Sequence, residues 1–133
     1  MENDKKYKIL IVEDEPVLQK TLADNLISEG FNVLQAKDGV EGLSIAIKQR
    51  PDLVLLDILM PQMDGLAMMQ KLRAKNVWGK KVPIIILTNL GPDEDKIMER
   101  VTKDEPAYYL AKTELNVSDI IEKIKERLDQ PKN

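Results

Sequence analysis

Short β-branched and leucine-rich runs alternate along the chain with longer segments whose apolar residues recur every three or four positions. The first run, Lys8-Ile9-Leu10-Ile11-Val12, stops at Glu13-Asp14-Glu15. Pro16 suits the first turn of a helix, where its missing N–H has no helical partner to lose. Leu18, Leu22 and Leu26, with Ala23 and Ile27 alongside, give that helix one apolar face. Gly30 predicts its stop. Asn32 to Ala36 reads as a second strand. Asp38 predicts the cap of a helix carrying Val40, Leu43, Ala46 and Ile47, which Pro51 ends. Leu53-Val54-Leu55-Leu56 is continuously apolar, as a central parallel strand buried on both faces must be, and it ends at Asp57. A loop with Pro61 and Asp64-Gly65 precedes a helix with Leu66, Met69 and Leu72. Pro83 opens a fourth strand, Ile84 to Leu87, ending at Thr88. Gly91-Pro92 opens a further helix with Ile97, Met98 and Val101 on one side. Ala107 to Ala111 predicts a fifth strand ending at Lys112. Ser118 is the expected cap of a last helix with Ile120, Ile121, Ile124 and Leu128.

Five strands alternating with five helices predict an α/β fold, a parallel sheet with helices on both faces. Right-handed crossovers leave few topologies, and the expected one is the flavodoxin-like (βα)5 order, 2-1-3-4-5. The whole of 1–133 is expected to form one domain, with its core at about 8–128 and short tails at 1–7 and 129–133.

Composition then narrows the chemistry. Lys plus Arg is 20 against 23 Asp plus Glu, a net charge of −3, so no positive field draws in phosphate backbones, and direct nucleic-acid binding is not expected. The chain has no Cys and no His. Thiol chemistry, His-ligated metals and a Ser-His-Asp triad are thereby excluded. No apolar run approaches the roughly 18 residues of a membrane span, and no signal-peptide core follows Met1. A cytoplasmic location is expected.

In an open parallel sheet, sites form beyond the carboxyl ends of the strands, where the strand order reverses. Glu13 and Asp14 follow the first strand, Asp57 the third, Thr88 the fourth and Lys112 the fifth. Taken singly, each has a bland reading as a cap, a turn residue or a solvated charge. Asp57 resists it, because Leu53-Val54-Leu55-Leu56 precedes it and Ile58-Leu59-Met60 follows, and a charge in so apolar a stretch is costly without a partner. Three carboxylates brought together repel one another. A hard divalent cation with oxygen ligands relieves that repulsion, and Mg2+ is the expected one. A metal and a Lys beside a carboxylate suit acceptance of a phosphoryl group: the carboxylate attacks while the cations hold the oxygens.

The chain resembles the receiver domains of two-component response regulators from about Lys8 to Leu128. The motifs are Ile11-Val12-Glu13-Asp14, Leu56-Asp57 through Asp64-Gly65, Leu87-Thr88 and Tyr109-Leu110-Ala111-Lys112. The resemblance implies that Asp57 is the phosphoacceptor, supplied by a histidine kinase or a phosphotransfer protein. It implies that Asp14 ligates Mg2+ directly, that Glu13 acts through a bound water, and that Asp57 and the backbone carbonyl of Leu59 complete the protein ligands. Thr88 matches the switch hydroxyl, Lys112 the cation paired with the phosphoryl group, and Tyr109 the aromatic that moves with Thr88. The implied partner face, for an effector or a second copy of the chain, is formed by the helix after Gly91-Pro92, the fifth strand and the last helix. Exposed residues near Val17, Lys20 and Thr21 would face the kinase.

Two positions depart from the family pattern. Thr113 stands where Pro usually follows the Lys, so the Lys112–Thr113 peptide is expected to be trans. Asn89 stands where a small residue is usual, and is expected to hinder the water that hydrolyses an acyl phosphate. A Mg2+-dependent aspartyl phosphohydrolase would need a second Asp two residues after the nucleophile, where this chain has Leu59. A phosphorylation-independent pseudo-receiver is the other alternative, against which the retention of Glu13, Asp14, Asp57, Thr88 and Lys112 argues. Five residues follow Leu128. The expectation is therefore a receiver, stand-alone or excised, with no effector domain, and no enzymatic turnover beyond its own phosphorylation and dephosphorylation.

Overall fold

A computed structural model describes residues 6–57, 65–88, 108–111 and 116–129. Five strands, β1 (Lys8–Val12), β2 (Asn32–Ala36), β3 (Leu53–Asp57), β4 (Ile84–Thr88) and β5 (Tyr108–Ala111), form one sheet. Their order is β2-β1-β3-β4-β5, and every neighbouring pair is parallel. This is the predicted flavodoxin-like topology. The described helices are α1 (Pro16–Ser28), α2 (Gly39–Gln49), α3 (Gly65–Lys75), α4 (Val77–Lys81) and α5 (Val117–Asp129). The helix expected after Gly91-Pro92 lies outside the described residues, as does Ala107, the expected start of the fifth strand.

Alternation along the strands divides the core into two layers. Leu10, Val12, Val54, Leu56, Ile84 and Ile86 pack under α2 and α3, with Met68, Met69 and Leu72. Ile9, Ile11, Leu53, Leu55, Ile85 and Leu87 pack under α1 and α5, with Leu22, Leu26, Ile121 and Ile124. Burial on both faces explains why β1, β3 and β4 read as unbroken apolar runs rather than alternating ones. A Glu29–Lys125 ion pair joins α1 to α5 at the surface.

The helix ends follow local chemistry. Asp38 caps α2, its side chain accepting from Glu41 N–H at 2.8 Å. α1 gives way to Gly30 at φ 98°, in the left-handed region that glycine enters without penalty. Three expectations need correction. The last helix is capped by Asn116, whose Oδ1 accepts from Asp119 N–H at 2.9 Å, and not by Ser118, which lies within the first turn. Ile27 and Val40, placed on apolar faces by periodicity, are exposed, because each stands at the margin of its helix's buried stripe. The sequence pattern does not predict the short extra helix α4. Its Asn76 cap accepts from Gly79 N–H at 2.7 Å, and Trp78 packs against the α2–α3 layer.

Candidate functional site

The acidic site grows out of strand register. Ile9 pairs with Leu53 and Ile11 with Leu55 across β1 and β3, all four in the layer under α1 and α5. The next residues of that alternation are Glu13 and Asp57, so the pattern that builds the core ends by setting two carboxylates side by side. Asp57 is 4% exposed and Glu13 2%, whereas Asp14 is exposed. One carboxylate oxygen from each of the three lies within 4.8 Å of the others. Like charges 4.8 Å apart repel by about 3.5 kcal/mol at an effective dielectric constant of roughly 20. The cluster sits at the carboxyl ends of β1 and β3, between which the strand order reverses, the usual ligand position in such sheets.

The main chain around Glu13 is held on both sides. Its N–H donates to the Ala36 carbonyl at 3.0 Å. Its own carbonyl accepts from Gln19 Nε2 at 2.9 Å, and the same Nε2 donates to the Ala36 carbonyl at 2.7 Å. Glu13 Oε2 accepts from Glu15 N–H at 3.1 Å. The sequence alone does not single out Gln19. A glutamine on a helix whose work is to bind two distant carbonyls leaves no trace in periodicity or motif.

The structure brings together Glu13, Asp14 and Asp57, as the sequence predicts. Thr88 and Tyr109 are placed through their strands. Asp57 pairs with Leu87, Thr88 with Ala111 and Tyr109 with Ile86, so the ends of β3, β4 and β5 meet at the same edge of the sheet. Leu59, Asn89, Lys112, Thr113 and the Lys112–Thr113 peptide lie outside the described residues. The donor set fits a divalent cation. Carboxylate oxygens are hard ligands, and a few of them completed by water suit Mg2+. Among the described residues, no helix is long and apolar enough to cross a membrane.

Comparison with known proteins agrees with this geometry. The model of the response regulator receiver domain family matches residues 9–125. The chain is 38% identical over 90 residues to the DNA-binding dual master transcriptional regulator RpaA of Synechocystis, a stretch covering 68% of this chain and 37% of that protein. It is 40% identical over 89 residues to the probable transcriptional regulatory protein TcrX of Mycobacterium tuberculosis, covering 67% of this chain and 37% of that protein. The chain thus spans well under half the length of these curated relatives. Among solved structures, the chemotaxis protein CheY4 of Vibrio cholerae superimposes with a TM-score of 0.81 at 26% identity, covering 92% of this chain and 98% of that one. The receiver domain of the sensor histidine kinase PA1611 of Pseudomonas aeruginosa, solved with a magnesium ion coordinated in its active-site cleft, gives 0.81 at 30% identity, covering 95% of this chain and 100% of that one. A parallel (βα)5 sheet with clustered carboxylates at its switch point, matched over nearly its whole length, defines the class. The chain belongs to the response regulator receiver domain family of two-component signal transduction.

Proposed function

We propose that the chain is a single Mg2+-dependent receiver domain that accepts a phosphoryl group on Asp57. The observation that carries this reading is the convergence of Glu13, Asp14 and Asp57 within 4.8 Å at the sheet's switch point, two of them buried. A carboxylate oxygen of Asp57 attacks the phosphorus of a phosphohistidine on a kinase or phosphotransfer protein. The P–O bond to Asp57 forms, the P–N bond breaks, and the electron pair leaves with the imidazole. Bound Mg2+ would neutralise charge on the transferring phosphoryl oxygens. Asp14 and Asp57, with the Leu59 carbonyl, would hold it, and Glu13 would act through water. Lys112 pairs with the phosphoryl group and Thr88 donates its hydroxyl to it, with Tyr109 following Thr88.

The acyl phosphate then shifts the domain between two arrangements, remaking the partner face at β5, α5 and the segment that follows Gly91-Pro92. Loss of the group is by hydrolysis on the same site. The domain works in the cytoplasm. Its output reaches an effector or a second copy of the chain through that face, as befits relatives named as transcriptional regulators. Incubation with acetyl phosphate and Mg2+ tests the assignment. Intact-protein mass spectrometry should show one added phosphoryl group on the wild type and none on Asp57→Asn. Unchanged labelling of the variant would overturn it.

A further inference from the structure

Gln19 lies one turn into α1, half-buried. Its backbone is fixed there by an N–H bond to the Glu15 carbonyl at 3.0 Å. From this position its side-chain amide reaches two carbonyls that belong to neighbouring strands' ends, Glu13 at 2.9 Å and Ala36 at 2.7 Å. An amide NH2 has two protons to give, and here they go to two acceptors. The Ala36 carbonyl also accepts from Glu13 N–H at 3.0 Å. Glu13 N–H, Ala36 C=O, Gln19 NH2 and Glu13 C=O therefore close a ring of hydrogen bonds around the last step of β1.

The carbonyl of Glu13 lies in the same rigid peptide plane as the N–H of Asp14. Fixing that plane sets the direction in which Asp14 leaves the strand. Asp14 needs such help, because it stands past the end of β1 and before Pro16 opens α1, outside any helical or sheet ladder, and it is exposed. Glu13 is already held by burial and by Glu15 N–H.

Resting on the reading of the acidic cluster as the Mg2+ site, we infer that Gln19 is a positioning residue for that site. It locks the Glu13–Asp14 peptide so that the exposed Asp14 carboxylate is aimed at the cation before the cation arrives. It touches neither metal nor phosphoryl group. Its contribution belongs to metal affinity, and to phosphorylation only while Mg2+ is limiting.

Gln19→Met tests this, since it keeps an unbranched side chain of similar length and removes both donors. Isothermal titration with Mg2+ should give a dissociation constant about tenfold weaker than wild type, the scale seen when groups that orient metal ligands are lost. Saturating Mg2+ should return the acetyl-phosphate labelling rate to the wild-type value. A merely structural Gln19 would lower the metal-free melting temperature and leave Mg2+ affinity unchanged, and that result overturns the inference. A second measurement uses wild-type protein alone. In the metal-free protein the Gln19 side-chain amide protons should already be protected from exchange with water while those of the exposed Gln49 and Gln70 are not, and an unprotected Gln19 amide counts against the inference whether or not the variant folds. Failure of the wild type itself to bind Mg2+ would instead overturn the reading of the cluster, and the inference with it.

Discussion

The two ends of the sheet treat polar groups in opposite ways. At the amino end of β4, the corner between α3 and α4 is polar but self-satisfying. Arg73 Nη1 donates to the carbonyls of Gly79 at 2.9 Å and Val82 at 2.7 Å. Asn76 caps Gly79 N–H, and a Cβ on Gly79 would meet the Leu72 carbonyl oxygen at 2.1 Å. Every one of these contacts ties a side chain to nearby backbone, and the corner is closed. At the carboxyl ends of β1 and β3, Glu13, Asp14 and Asp57 converge with like charge. The first arrangement stabilises the fold. The second gathers like charge at one point, an arrangement that a bound cation would relieve.

Substitutions at the two ends should separate these roles, and thermal melts with and without Mg2+ read both. Gly79→Ala should have the largest effect. The contact is with backbone, which cannot move aside, so the loss is expected at about 3 kcal/mol or more. The rise in melting temperature on adding Mg2+ should be the same as in wild type. A Gly79→Ala protein that melts normally would show that the α3–α4 corner is looser than the structure has it.

Arg73→Met comes next. It leaves the Gly79 and Val82 carbonyls without the guanidinium, and hydrogen bonds to charged groups contribute roughly 1.5–3 kcal/mol. A lowered melting point with an unchanged Mg2+ increment is the expected result, and a changed increment would couple the two ends. The smallest effect belongs to Arg50, whose guanidinium stands 5.9 Å from the centre of the Trp78 ring. Arg50→Ala should cost about 0.5–1 kcal/mol, the worth of an exposed cation–π contact. It keeps a non-glycine residue at φ 45°, so backbone strain does not confuse the comparison. A loss much above that would mean Arg50 supports more than the ring.

Most of the architecture was legible because it rests on burial. Strands buried on both faces must be apolar throughout, so β1, β3 and β4 announced themselves, and their ends pointed to Glu13, Asp14 and Asp57. What escaped notice rests on side chains bonding to backbone. α4 has five residues with Gly79 in its middle, too short for periodicity, and is held by Arg73, Asn76 and the packing of Trp78. Asn116 and Ser118 are both plausible caps by residue type, and only the position of the first turn separates them. Gln19 is invisible for the same reason, since its meaning lies in two carbonyls that the fold, not the sequence order, places beside it. Ile27 and Val40 show the converse error: apolar residues at helical spacing still face solvent when the buried stripe is narrow.

A cation and phosphoryl site at the acidic end should reveal its clustered charge as stability lost in the absence of metal. The decisive comparison is the melting of wild type and Asp57→Asn at matched ionic strength, each with and without Mg2+. Removing one of three like charges should stabilise the metal-free protein by on the order of 1–3 kcal/mol. Mg2+ at a hundredfold excess over its dissociation constant should stabilise the wild type by about 2.7 kcal/mol, and the variant by clearly less. Equal Mg2+ increments in the two proteins, with no gain from the substitution in the absence of metal, would show that the acidic cluster is not the cation site.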